Sequence, residues 1–232
     1  MKNDTVEYRG HHIEIHTDDN PENPRTEWDN FGHMICWHRN YDLTDKDQDK
    51  RTPEEMREYF KETHALVLSL YLYDHSGITM RASPFSCPWD SGQVGYIYAL
   101  PEEIKKEYKC KQITPTIRRK AFKLLEGEVE TFDNYLTGSV YGYVVTETGD
   151  SCWGFFGDTK YMIEEAKGGI DYHIKRERTK HIEQVKAWVK NKVNLLCREA
   201  GKFGGGSGDR TGHTVTAQQR SDHSDGNTQA RR

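Results

Sequence analysis

Four leucines at every second position, Leu66, Leu68, Leu70 and Leu72, do most to limit what this chain can fold into. Val67, Ser69, Tyr71 and Tyr73 interleave with them. A period of two sends one set to one face of a β-strand and the other set to the opposite face. The run therefore reads as a strand, apolar on one side and semi-polar on the other, and the rest of the chain has to cover the leucine face. A doubly wound parallel sheet would need strands alternating regularly with long helices, and that rhythm is missing.

Other elements follow from pattern and punctuation. Residues 6–16 alternate as one strand, with Ile13 and Ile15 on one face and His12, Glu14 and His16 on the other. Residues 33–38 and 94–100 read as further strands. Two more form a hairpin around Thr148-Gly149-Asp150. Thr52-Pro53-Glu54-Glu55 opens a helix that ends near His64, and Pro101-Glu102-Glu103 opens another to about Lys109. Ile117, Ala121, Leu124, Leu125, Val129, Phe132 and Leu136 carry a helical stripe over 115–136, which Gly138 stops. A long helix capped by Asp158 runs to about Glu199, with Gly168-Gly169 able to bend it and a charged stretch from Lys175 to Lys180 facing solvent. The expected fold is α+β: a mostly antiparallel sheet of about six strands packed by two long helices, forming a single domain over 1–200. Residues 201–232 hold seven glycines and four apolar residues, too little apolar area to offset chain entropy, so a disordered, Gly-rich, polar, solvated tail is expected.

Composition sets the class. Leu, Ile, Val and Phe make up 42 of 232 residues, 18%, below the roughly 20% that signals disorder when net charge is also high. The net charge is only −4, and 13 Tyr and 5 Trp add apolar area at ~150–250 Å² per buried ring. A folded, aromatic-rich core is expected. No run approaches the ~18 apolar residues of a membrane span, and MKNDTVEYRG lacks the apolar segment of a signal peptide. Five widely spaced cysteines without a CxxC fit a reducing compartment and exclude zinc ribbons. The expected setting is cytoplasmic.

Chemistry concentrates beyond the two ends of one strand pair. Tyr73-Asp74-His75-Ser76-Gly77 leaves the leucine strand, and Ser86-Cys87-Pro88-Trp89-Asp90-Ser91 leads into the next long strand. If those strands pair, Asp74, His75, Cys87, Trp89 and Asp90 meet. One reading makes Cys87 a nucleophile, His75 its base, and Asp74 or Asp90 the group that orients the imidazole. The other makes Cys87 a small buried hydrophobe under a Trp89 lid. A metal reading draws on Cys36 and His38 with His75, Cys87 or an aspartate, or on His12, Glu14 and His16. The short ligand spacing of known zinc sites is absent, so no metal is assigned. The loop Arg25-Thr26-Glu27-Trp28-Asp29-Asn30, with Trp37, Arg39, Arg81 and Trp89, offers stacking and pairing to a nucleotide or peptide, or is simply tied down by its own Asx turns. Trp28, Asp29, Arg39 and Trp89 are the candidate binding residues. Ser151-Cys152-Trp153-Gly154 reads as hairpin or core. Arg118, Arg119, Lys120 and Lys123 form one local basic cluster on an acidic domain, which does not favour nucleic acid. GxxxxGK[ST], GxGxxG after a strand, HExxH and GxSxG are all absent, so no cofactor is expected.

Four long segments carry a resemblance. NPENPRTEWDNFGHMICWHRNYDL, LYLYDHSGITMRASPFSCPWDSGQVGYIY, GEVETFDNYLTGSVYGYVV and GDSCWGFFG resemble a family of small uncharacterised proteins carried by bacteriophages and other mobile elements. The resemblance covers most of residues 7–200 and leaves out the tail. Thr44 departs from it, since a glycine would follow Leu43, and only the local turn is affected. It implies a setting, an accessory protein in a bacterial host cytoplasm, and no catalytic residue. Two functions then compete: a binding or inhibitory module acting on a host or phage macromolecule, or a small thiol-dependent hydrolase or transferase using Cys87 and His75.

Overall fold

In the computed structural model the described residues are 4–45, 51–87 and 89–203. They form eight strands and five helices: β1 (Thr5–Tyr8), β2 (His11–Thr17), α1 (Pro24–Glu27), β3 (His33–Cys36), α2 (Pro53–Thr63), β4 (Leu66–Asp74), β5 (Ile78–Arg81), β6 (Ser91–Ala99), α3 (Pro101–Glu107), α4 (Pro115–Leu136), β7 (Val140–Val145), β8 (Ser151–Phe156) and α5 (Thr159–Phe203). The class is α+β as expected, but the strands divide between two four-stranded antiparallel sheets instead of one sheet of six. Their orders are β1-β2-β7-β8 and β3-β6-β4-β5. The expected tail lies outside the described residues from 204 on, and Gly201–Phe203 close α5.

Contacts divide the chain into two compact units, Met1–Arg176 and Glu177–Arg232. In the first, the leucine strand β4 lies centrally and pairs with β6 from Leu66↔Ala99 to Tyr73↔Ser91, with a bulge at Leu70/Tyr71. Its four leucines, with Met34, Ile97 and Ala99, pack on Ala121, Leu125, Val129 and Phe132 of α4 and Ile104 of α3. The opposite face of the same sheet offers Ile35, Val67, Tyr96 and Tyr98 to Met56, Tyr59 and Phe60 of α2. A capping box at Thr52 and Glu55 starts α2, and His64 in the left-handed region ends it. Gly95 is needed where β6 passes β3, because a Cβ there would collide with the Ile35 carbonyl.

The other sheet packs one face, Ile13, Ile15, Tyr141, Tyr143, Val145 and Phe155, on Met162, Ala166 and Ile170 of α5. The alternating run 6–16 is two strands here, because Arg9 and Gly10 both take positive φ and turn the chain back. Two-residue turns of this kind match the twist of a hairpin. Three short elements, α1, β5 and the β1 strand, lie where the sequence reads as loop or as one continuous strand. Strand β5 is fixed from outside itself: Asp133 of α4 accepts from the Thr79 hydroxyl at 2.6 Å and from the Met80 amide at 2.7 Å. The helix α5 is unbroken through Gly168-Gly169, and the charged stretch Lys175–Lys180 is exposed. Among the described residues, no helix is long and apolar enough to cross a membrane.

Candidate functional site

β4 pairs with β6, the condition on which the candidate residues are expected to meet, and the pairing brings their connecting segments together. At the strand ends the Asp74 amide donates to the Asp90 carbonyl at 2.9 Å. Ser76 and Gly77 take positive φ, and the His75 amide donates to the Gly77 carbonyl at 3.0 Å, which turns the chain sharply into β5. Past β5, Arg81 folds the next segment back: its guanidinium lies 3.8 Å above the Phe85 ring and its Nε donates to the Ser83 carbonyl at 2.9 Å. Phe85 in turn rests 5.6 Å from the Tyr73 ring, and the Ser91 hydroxyl donates to the Cys87 carbonyl.

Within that fold one oxygen joins three of the candidate residues. Asp90 Oδ2 accepts from Cys87 Sγ at 3.6 Å and lies 3.7 Å from His75 Nδ1. Asp90 is the orienting carboxylate of the two proposed. Asp74 acts instead on Tyr41: burial first and Asp74 second hold the Tyr41 phenol above its ordinary range. The order along the contacts is thus sulfur, carboxylate, imidazole. A thiol–imidazole pair needs the ring nitrogen on the sulfur. Here the carboxylate takes that place, and the imidazole, 65% exposed, meets the same carboxylate oxygen. Trp89 does not cover Cys87 as a lid. It is 90% exposed and projects from the knot that Asp90 ties.

The remaining binding candidates lie in other places. Trp28 is 42% exposed, donates from Nε1 to Glu22 at 3.2 Å and meets the Phe156 ring edge-on at 5.1 Å. With the exposed Asp29 it lines two shallow cavities of about 350 Å³ each, one against Lys123, Leu124 and Gly127 of α4 and one beside His33 and Tyr98. Arg39 is exposed and lines a different cavity of about 760 Å³ with Trp37, His38 and Tyr41. Arg25 is not available to a ligand. It is buried and fully engaged, holding Asp45 through Nε and a terminal nitrogen, each at 2.8 Å, Glu128 at 2.9 Å and the Gly32 carbonyl at 2.7 Å. Burial works against its charge, but the two carboxylates outweigh that and hold it more firmly protonated than usual. Glu128 also accepts from the Phe31 and Gly32 amides, and Asp45 from the Met34 amide. The loop that carries Trp28 and Asp29 is thereby locked from within.

Neither ligand set of the metal reading assembles. Burial pushes the Cys36 thiol up to about 12, and the His38 ring stacks on Tyr41 at 5.0 Å. His12 pairs with Glu147 at 2.6 Å, while His16 lies 3.5 Å from Glu14. Among the described residues no group of three or more His, Cys, Asp or Glu side chains is placed to hold a metal ion. Trp153 is no core residue: it lies over Gly142 on the outer face of its sheet and is 48% exposed. The exposed Arg118, Arg119, Lys120 and Lys123 follow the solvated side of α4.

Sequence reasoning missed Tyr41 and Asp133, and it missed the internal role of Arg25. Only the polar character of Asp133 on the apolar stripe of α4, one residue past Phe132, signals its use. Comparison with family models, with curated proteins and with solved structures finds no match to this chain.

Proposed function

We propose that the protein is a binding module that engages a protein of the host or the phage through the segment between β5 and β6, with Trp89 as its anchor. One observation carries this reading: Trp89 is 90% exposed on a segment held in place by the Asp90 contacts and the Arg81–Phe85–Tyr73 stack. Large aromatic side chains dominate binding energy where they fill a partner's pocket, and an anchor beside a residue already held in place loses less entropy on docking. A host or phage protein as the partner, and a bacterial cytoplasm as the place, rest on the family resemblance of the four long segments.

The test is affinity capture from lysate of phage-infected cells with the full chain and with Trp89→Ala in parallel. A specific partner held by the first and lost by the second is the expected result. Equal capture by both, or none by either, overturns the reading. The thiol-enzyme reading keeps one observation in its favour, that Cys87, Asp90 and His75 share an oxygen, and the order of the three groups stands against it. A hydrolase or transferase activity abolished by Cys87→Ser would restore it.

A further inference from the structure

The second unit exposes a pattern that neither reading uses. Along α5, Ile182, Val185, Val189, Val193 and Leu196 are all exposed, between 43% and 64%. On a helix of 3.6 residues per turn they occupy one arc of about 80°. Their spacing is symmetric about Val189: the apolar positions lie four and seven residues to either side of it. A stripe that reads the same in both directions is complementary to itself when two copies run antiparallel, which is the requirement of a two-fold interface.

The surroundings of the stripe select the occupant. The five-residue stripe is as narrow as a coiled-coil seam, four of its five side chains are β-branched, and the exposed Trp188 and Leu195 flank it on one side only. A helix lying on a lipid surface presents a face dominated by Trp, Phe and Leu, whereas β-branched side chains fill this stripe. Arg178 lies on the same arc, eleven residues before Val189. In a parallel pair it would face its own copy inside the seam. Antiparallel, it falls opposite Ala200 of the second copy, so no like charge faces it in the seam. On the flank, Trp188 is 62% exposed, with Lys192 Nζ 6.0 Å from its ring. Antiparallel pairing centred on Val189 sets the two Trp188 rings side by side next to the axis, with each Lys192 reaching the ring of the other copy.

We infer that residues 177–199 of α5 form a self-pairing helix, antiparallel and centred on Val189, through which two copies of the chain associate. Six basic against three acidic side chains on this segment give the paired helices a net repulsion that salt screens. Added salt therefore leaves the pair intact or strengthens it, whereas attachment to an anionic surface weakens.

The test uses the full chain. Sedimentation equilibrium is expected to report a dimer that survives high salt. Val189→Glu sets two carboxylates against each other in the seam and is expected to raise the dimer Kd on the order of a hundredfold. With the exposed Cys152 and Cys197 changed to serine, Val189→Cys is expected to cross-link with itself on oxidation. Ile182→Cys is expected to cross-link only when mixed with Leu196→Cys. A monomer at all salt concentrations overturns the proposal, as does Ile182→Cys cross-linking with itself, which marks a parallel pair. A chain that stays monomeric and cosediments with phosphatidylglycerol vesicles overturns it in favour of a lipid surface.

Discussion

The two sheets use the same antiparallel pairing and differ in how they are covered. The β3-β6-β4-β5 sheet is packed on both faces, by α4 and α3 on one side and α2 on the other. The β1-β2-β7-β8 sheet is packed on one face by α5, and its outer face carries His12, Glu14, His16 and Trp153. Coverage on both sides is strongest at the Leu66–Ala99 end of the β4–β6 pair, and the opposite end carries Asp90 and, beyond it, Cys87 and Trp89. The half-covered sheet turns polar side chains outward and settles them in pairs, as His12 with Glu147. A rigid platform presents the candidate site; a solvated face satisfies itself.

The largest expected effect breaks the platform. Arg25→Ala leaves Asp45 and Glu128 without their cation in a mostly buried setting, and a loss of about 3–5 kcal/mol is expected, read by urea unfolding. Leu70→Ala, at a fully buried position between β4 and α4, is expected to cost about 2–5 kcal/mol in the same assay. Equal losses from His16→Ala on the outer face of the other sheet would erase the contrast between the sheets.

The next prediction concerns the knot. Because a carboxylate and not an imidazole lies on Cys87, His75→Ala is expected to leave the iodoacetamide alkylation rate of Cys87 unchanged. A thiol activated by His75 would slow tenfold or more, on the order of the thiolate fraction lost. Trp89→Ala is expected to change stability by no more than about 0.5 kcal/mol, as for surface positions away from any packed feature, so that a loss of partner capture reports on binding alone.

The smallest effect belongs to the exposed pair. The hydrogen bonds from His12 lower the Glu147 carboxyl from its ordinary 4.5 to about 2, and Glu147 raises the His12 imidazole above 6.5. The carboxylate's share of stability is present above its ordinary value and is lost as pH falls toward 2. The imidazole's share is present below 6.5 and is lost as pH rises through its raised value. Thermal melts of the wild type and Glu147→Gln are expected to converge at both ends of the pH range and to differ slightly between about 4.5 and 6.5.

How much of this is legible in the sequence depends on whether the signal is local. The β4 leucines, the Thr52 cap, the stripe of α4 and the β7–β8 hairpin are all written in neighbouring residues, and they stand where the sequence places them. Strand β5 is short and is held by Asp133, 53 residues from the Met80 amide it accepts, so its own four residues do not announce it. The division into two sheets depends on β2 pairing with β7 across most of the unit, which no window of sequence contains. For the site, adjacency of Cys87, Asp90 and His75 follows from the β4–β6 pairing. The order of the three groups and the action of Asp74 on Tyr41 depend on side-chain placement that alternation does not encode.

A photo-cross-linking side chain placed at position 89 tests the binding face most directly, with the exposed Lys111 as the matched control position. Illumination in phage-infected cells is expected to give one defined adduct with a host or phage protein from position 89 and none from 111. The same faint background from both positions would contradict a binding face centred on Trp89.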